Sequence, residues 1–243
     1  MRNRTITGIK NFDAVIDGGI PSGNQVALAG GPGAGKTLFS FEYLYNNAKA
    51  GNNALYFSLE ETSDMIIENA KAAYSDFTDI DELIKDNKLI IYGFEKTEKY
   101  LNKDNGDGGY SFNEFVSGII ELINNYNIKA FVLDSITVIK LIIEDTLTYR
   151  RLTMELIKQL REKGVTSLIT MEVSSANREN IKFKPEFFVF DGIISLYLEG
   201  EGNNRVPILE VIKMRGTYHS FNSIPYDIKN DGIQLLELPK LKD

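Results

Sequence analysis

Short apolar runs alternate along this chain with longer stretches in which apolar residues recur every three or four positions. The runs Gln25–Ala29, Ala54–Leu59, Lys88–Tyr92, Ala130–Asp134 and Val165–Met171 read as buried strands. The stretches Lys36–Lys49, Ser63–Tyr74, Ser111–Asn125 and Leu147–Lys163 carry helical periodicity; in the first, Leu38, Phe39, Phe41, Leu44 and Tyr45 mark the buried side. Strand and helix in regular alternation predict a mostly parallel sheet wrapped by helices. The pattern changes toward the C-terminus. Ile193–Leu198 and Pro207–Met214 are β-rich runs separated by Glu199-Gly200-Glu201-Gly202-Asn203-Asn204, which predicts a hairpin, and Asn230-Asp231-Gly232 signals another turn. The expected fold is therefore α/β, with an antiparallel β extension after the parallel core. Polar Lys96–Tyr110 contains Asp104-Asn105-Gly106-Asp107-Gly108-Gly109, but lacks the ligand spacing and final Glu of a calcium loop, so a mobile surface loop is expected.

Between the first strand and the first long helix lies Gly30-Gly31-Pro32-Gly33-Ala34-Gly35-Lys36-Thr37, a complete G-x-x-x-x-G-K-[ST] phosphate loop. Its context of strand, glycine loop and helix is the one in which backbone N–H groups turn inward to cradle phosphates, assisted by the partial positive charge of the helix N-terminus. Lys36 is expected to reach the β- and γ-phosphates and Thr37 to place its hydroxyl on Mg²⁺, with Leu38 closing the nucleotide-binding segment. Such a site also needs an acidic residue at a strand end to hold the hydration shell of the ion. Asp134, which closes the apolar strand Ala130–Asp134 and precedes Ser135, supplies it. Glu60 and Glu61 follow the second strand, where a carboxylate could orient the attacking water. Adjacent residues of an extended chain face opposite ways, which favours Glu60, with Glu61 second. Lys213 and Arg215, two apart in a β-rich run, are expected on one side of a strand, where a neighbouring subunit could use them on its γ-phosphate.

Composition narrows the setting. The 243 residues, 43% of them hydrophobic, suffice for one large domain spanning 1–243. The absence of cysteine excludes a disulfide framework and thiolate metal sites. No stretch reaches the roughly 18 to 20 apolar residues of a membrane span, and the N-terminus lacks a signal-peptide pattern, so a cytoplasmic protein is expected. The net charge of −7 argues against a broad nucleic-acid footprint. Arg178, Lys182 and Lys184 are the candidates for a local single-stranded DNA contact, diluted by Glu179 and Glu186.

Taken in order, Thr7-Gly8, Phe12-Asp13, Gly18-Gly19-Ile20-Pro21-x-Gly23, the phosphate loop with Thr37-Leu38-Phe39-Ser40, Phe57-Ser58-Leu59-Glu60-Glu61-Thr62, Leu133-Asp134-Ser135, Asp191-Gly192-Ile193-Ile194 and Lys213-Met214-Arg215-Gly216-Thr217-x-His219 resemble the single-domain KaiC-like ATPases of the RecA superfamily. That resemblance implies a RecA-like phosphate-loop NTPase core that binds ATP and Mg²⁺, with the paired glutamates serving hydrolysis. It also implies that Lys213, Met214, Arg215, Thr217 and His219 touch ATP held by the neighbouring copy in a homo-oligomeric ring, usually a hexamer. The expected function is a slow regulatory ATPase that signals its nucleotide state to a protein partner. Two alternatives remain: a recombinase paralogue acting on single-stranded DNA, and a scaffold that binds ATP with little turnover. Phe187 and Phe188 stand where the autokinase half of the clock protein carries a Ser-Thr pair, so autophosphorylation of that kind is not expected. Glu172, at the end of the fifth strand, takes the place of a polar γ-phosphate sensor, with no role assigned.

Overall fold

The structure, a computed structural model, describes residues 3–101, 112–143, 145–173, 185–200 and 205–236. A nine-stranded sheet forms its centre, built from β3 (Gln25–Gly30), β4 (Ala54–Ser58), β5 (Leu89–Tyr92), β6 (Ala130–Asp134), β7 (Thr166–Glu172), β8 (Gly192–Glu199), β9 (Val206–Met214), β10 (Ile224–Lys229) and β11 (Gly232–Leu235). Their order is β11-β10-β9-β8-β3-β7-β6-β4-β5. Every pairing from β8 through β3, β7, β6 and β4 to β5 is parallel, whereas β9, β10 and β11 add in antiparallel fashion beyond β8. The short strands β1 (Arg4–Thr5) and β2 (Ile20–Pro21) pair separately. The architecture is thus the expected α/β sheet with its antiparallel extension.

Each central strand reads as a continuous apolar run because both faces are covered. In β3, Val26 and Leu28 enter one core layer while Ala27 and Ala29 enter the other. The first layer lies beneath α1 (Phe12–Val15), α2 (Lys36–Lys49), α3 (Ser63–Ala73) and α4 (Ile80–Lys85). The second lies beneath α6 (Phe112–Asn125), α7 (Ile136–Ile142) and α8 (Thr146–Glu162). The three described long helices and α6 match the periodic stretches to within a residue at each end.

Two expectations are corrected. Lys96 to Leu101 belong to α5 (Phe94–Leu101), not to a loop: Tyr100 packs on Phe57, and the Thr97 hydroxyl donates to the Ser58 carbonyl oxygen at 2.6 Å. The remainder of that loop, the centre of the β8–β9 hairpin and Arg178, Lys182 and Lys184 lie outside the described residues. Lys213 and Arg215 do not share a strand, because β9 ends at Met214 and a register shift falls opposite Ile193 and Ile194. Gly216, at a φ of 81°, then turns the chain away.

Candidate active site

The carboxyl ends of the parallel strands β3, β4, β6 and β7 converge, and in open α/β sheets that edge is where ligands bind. From β3 the loop Gly30–Gly35 passes into α2. Gly35 occupies the N-cap position at φ 78°, a left-handed conformation that costs a side-chain-bearing residue about 1–2 kcal/mol. Gly30 is required for space, since a Cβ there would stand 2.8 Å from the Leu196 carbonyl oxygen on β8. Lys36 opens α2, and its Nζ donates to the carbonyl oxygens of Gly30 and Gly31 at 3.0 and 3.1 Å. Burial lowers the Lys36 pKa, against the raising influence of Glu172, Asp134 and Glu60. Tyr226 of β10 donates to the Ala34 carbonyl oxygen at 2.5 Å, tying the antiparallel extension to the loop.

Asp134, 7% exposed, sits at the end of β6 beside Ser58 of β4. The hydroxyl of Thr37 donates to its Oδ2 at 3.2 Å and that of Thr170 to its Oδ1 at 2.5 Å, while Tyr56 donates to Oδ2 as well. Three hydroxyls from α2, β4 and β7 therefore orient one carboxylate. Glu60 and Glu61 diverge. The Ser135 hydroxyl donates to Glu60 Oε1 at 2.5 Å, at the rim of the cleft, whereas Asn69 of α3 donates to Glu61 Oε2 at 3.2 Å. Partial desolvation pushes the Glu60 carboxyl above its ordinary value; the Ser135 bond opposes this, and the negative charges of Asp134 and Glu172 add to it. Glu172 ends β7 directly opposite Gly30, which places its charge at the loop.

The donor set suits a hard divalent cation on a nucleotide. Among the described residues, Asp134, Glu60 and Glu172 set three carboxylates near the ammonium of Lys36, an excess of negative charge that opposes a bare triphosphate. Among the described residues no group of three or more His, Cys, Asp or Glu is arranged to cage a metal. A site offering one hydroxyl and one carboxylate fits Mg²⁺, which keeps several waters and takes phosphate oxygens.

The remaining predicted residues lie at the other end of the sheet. Met214 pairs with Gly192 and Lys213 with Ile193 at the amino end of β8, while Gly30 pairs with Leu196 four residues on, about 13 Å away along the strand. Lys213 Nζ donates to the Phe190 carbonyl oxygen at 2.6 Å, and Arg215 lies 3.7 Å from Asp191 Oδ1. Thr217 accepts from Arg4 at 2.7 Å, and buried His219 packs its ring 4.7 Å from that of Phe221. None of these reaches the phosphate loop of its own chain. Sequence reading missed Tyr56 and Thr170. Their signal in the sequence is a hydroxyl flanked by apolar residues two positions before the last residue of a strand.

The chain matches the protein-family model described as "ATPase: KaiC" over residues 5–240. It belongs to the KaiC ATPase family. UPF0273 protein PH0284 of Pyrococcus horikoshii is 34% identical over 240 residues, an alignment covering 96% of this chain and 94% of that protein. The circadian clock oscillator protein KaiC of Parasynechococcus marenigrum is 31% identical over 241 residues, covering 97% of this chain and 45% of the relative, so the chain spans about half the length of that clock protein. Among solved structures, the KaiC-like protein PH0186 from the hyperthermophilic archaeon Pyrococcus horikoshii superposes with a TM-score of 0.81 at 28% identity, covering 98% of this chain and all of that one. The KaiC-like fold thus places the phosphate loop, Asp134 and Glu60 at one sheet edge.

Proposed function

We propose that this KaiC-family chain binds Mg²⁺-ATP at the Gly30–Thr37 loop and hydrolyses it in a homo-oligomeric ring, each site being completed by a neighbouring copy. The convergence of Lys36, Thr37, Asp134 and Glu60 at one sheet edge carries this reading. Lys36 leaves the loop carbonyls to bind the β- and γ-phosphates. Thr37 and Asp134 hold the Mg²⁺, which when bound neutralises phosphate charge. Glu60 orients a water for in-line attack: the new bond forms to the γ-phosphorus, the bond to the β–γ bridging oxygen breaks, and the water's proton passes toward the Glu60 carboxylate. The negative cleft calls for further cations during charge development. Lys213 and Arg215, which do not reach their own loop, would serve another chain's. Met214, Thr217 and His219 belong to the same segment and would line the same junction.

Turnover is expected to be slow, and the nucleotide state to be read by a protein partner in the cytoplasm. The test is steady-state Mg²⁺-ATP hydrolysis over a range of protein concentrations, with and without single-stranded DNA. Specific activity that rises with concentration and ignores DNA supports shared sites. Activity that is independent of concentration but strongly stimulated by DNA replaces this reading with the recombinase one.

A further inference from the structure

Asp191 precedes β8 and is 7% exposed. Its carboxylate is already well occupied: Gln25 N–H donates to Oδ2 at 3.0 Å, and the Arg161 guanidinium donates to Oδ1 and Oδ2 at 3.1 and 2.9 Å. Arg215 stands at 3.7 Å from the same carboxylate, an ion-pair separation beyond hydrogen-bonding range, although its backbone N–H is fixed to the Asp191 carbonyl oxygen at 2.8 Å. Two arginines therefore share one carboxylate unequally. Arg161, near the C-terminus of α8, takes the bonds, and Arg215 keeps its guanidinium toward a groove of about 640 Å³ that Arg150, Arg151, Lys158 and Phe188 also line.

A buried carboxylate beside a single arginine favours the bidentate fork pairing, which is strong and geometrically fixed. We infer that Arg161 is a positioning residue: by occupying Asp191 it prevents Arg215 from closing onto that carboxylate and keeps its guanidinium available to the γ-phosphate of a neighbouring chain. This rests on the shared-site reading above. Three consequences separate a positioning role from a merely structural one. Removing Arg161 frees Asp191 to capture Arg215, so turnover falls. Removing Asp191 as well takes away the trap, so turnover returns. A lysine at 161 keeps a cation on Asp191 and preserves turnover. If Arg161 served only to hold α8 against the sheet, its loss would lower stability rather than kcat, and removing Asp191 as well would raise stability without acting on turnover.

The experiment compares kcat and KM for Mg²⁺-ATP in the intact chain carrying Arg161→Ala, Arg161→Lys, Arg161→Ala with Asp191→Asn, and Arg215→Ala. The expected result is a kcat lowered on the order of tenfold or more in Arg161→Ala with little change in KM, and recovery of most of that loss in both Arg161→Lys and the double variant. Should Arg161→Ala fail to fold, Arg161→Gln, which keeps one donor for Asp191, is read in its place. A wild-type kcat in Arg161→Ala beside an inactive Arg215→Ala overturns the inference and leaves the shared-site reading standing. A double variant no better than Arg161→Ala overturns it too. A wild-type kcat in Arg215→Ala sinks the shared-site reading itself.

Discussion

Asp134 shows how one candidate site residue depends on neighbours, two of which belong to no motif. Its two oxygens accept from Thr37, Tyr56 and Thr170, and this network holds the carboxylate in a single orientation. Replacing Tyr56 with Phe keeps the buried ring and removes one donor. The expected outcome is a roughly 10- to 100-fold weaker affinity for Mg²⁺, measured as the rise in the ion concentration that half-saturates nucleotide binding, with the protein still folded. Glu42 is a second residue that the candidate chemistry leaves unused. It lies on α2 in the core, 2% exposed, and accepts from the Ile233 N–H at 2.7 Å. Burial pushes its carboxyl up to about 8 from an ordinary 4.5, against the Ile233 bond, so between those values the folded chain holds a proton that the unfolded chain releases. More protons bound in the folded state means stability falls as pH rises through that window, by at most about 1.4 kcal/mol per pH unit from this group. Urea midpoints from pH 5 to 8 should therefore decline, and Glu42→Gln should flatten the decline; an unchanged slope in the variant removes Glu42 as its cause. Lys36, Thr37 and Asp134 were legible because a motif or a strand end marks each. Tyr56 was not, since it looks like any core tyrosine until the strand order sets it beside a carboxylate 78 residues away.

At the level of elements, the phosphate loop is held from both sides. β8 presses its Leu196 carbonyl against Gly30, and β10 reaches Ala34 through Tyr226. Gly30→Ala would drive a Cβ to 2.8 Å from a backbone oxygen in the middle of a paired strand, with no flexible side chain to give way. The expected outcome is a loop displaced from β8, with loss of nucleotide binding in a fluorescence titration and a lower Tm; wild-type affinity would show that the loop does not need this contact. The long elements were readable because periodicity and buried runs are local properties. α4 and α7, of 6 and 7 residues, were not singled out, and most of the 8-residue α5 was expected to be loop: each is too short for periodicity to declare itself, and each forms through what it packs against. The expectation that Lys213 and Arg215 lie on one side of a strand failed for a related reason. A bulge and an early strand end alter which way side chains face, and neither leaves a clear trace in residue types.

For the whole molecule, the distribution of charge argues for assembly. The cleft gathers carboxylates around Lys36, while Arg150, Arg151, Lys158, Arg161 and Arg215 line a groove beside the amino end of β8. Mixing inactive Lys36→Ala with inactive Arg215→Ala should restore up to about a quarter of wild-type hydrolysis, because random neighbours then reunite one intact loop with one intact Arg215. A mixture as inactive as its parts would mean that both residues act within one chain or that copies do not exchange. By itself the sequence determined the α/β class, the phosphate loop and the strand-end Asp134, because glycine freedom, helical periodicity and buried apolar runs are written in consecutive residues. Only the tertiary structure decided which hydroxyls surround Asp134, which donors Glu60 and Glu61 take, and that Arg161 shares Asp191 with Arg215. The hydroxyls reach Asp134 across 36 to 97 positions, and Arg161 and Arg215 reach Asp191 across 30 and 24, brought together by the order β3-β7-β6-β4 and the packing of helices on both faces of the sheet.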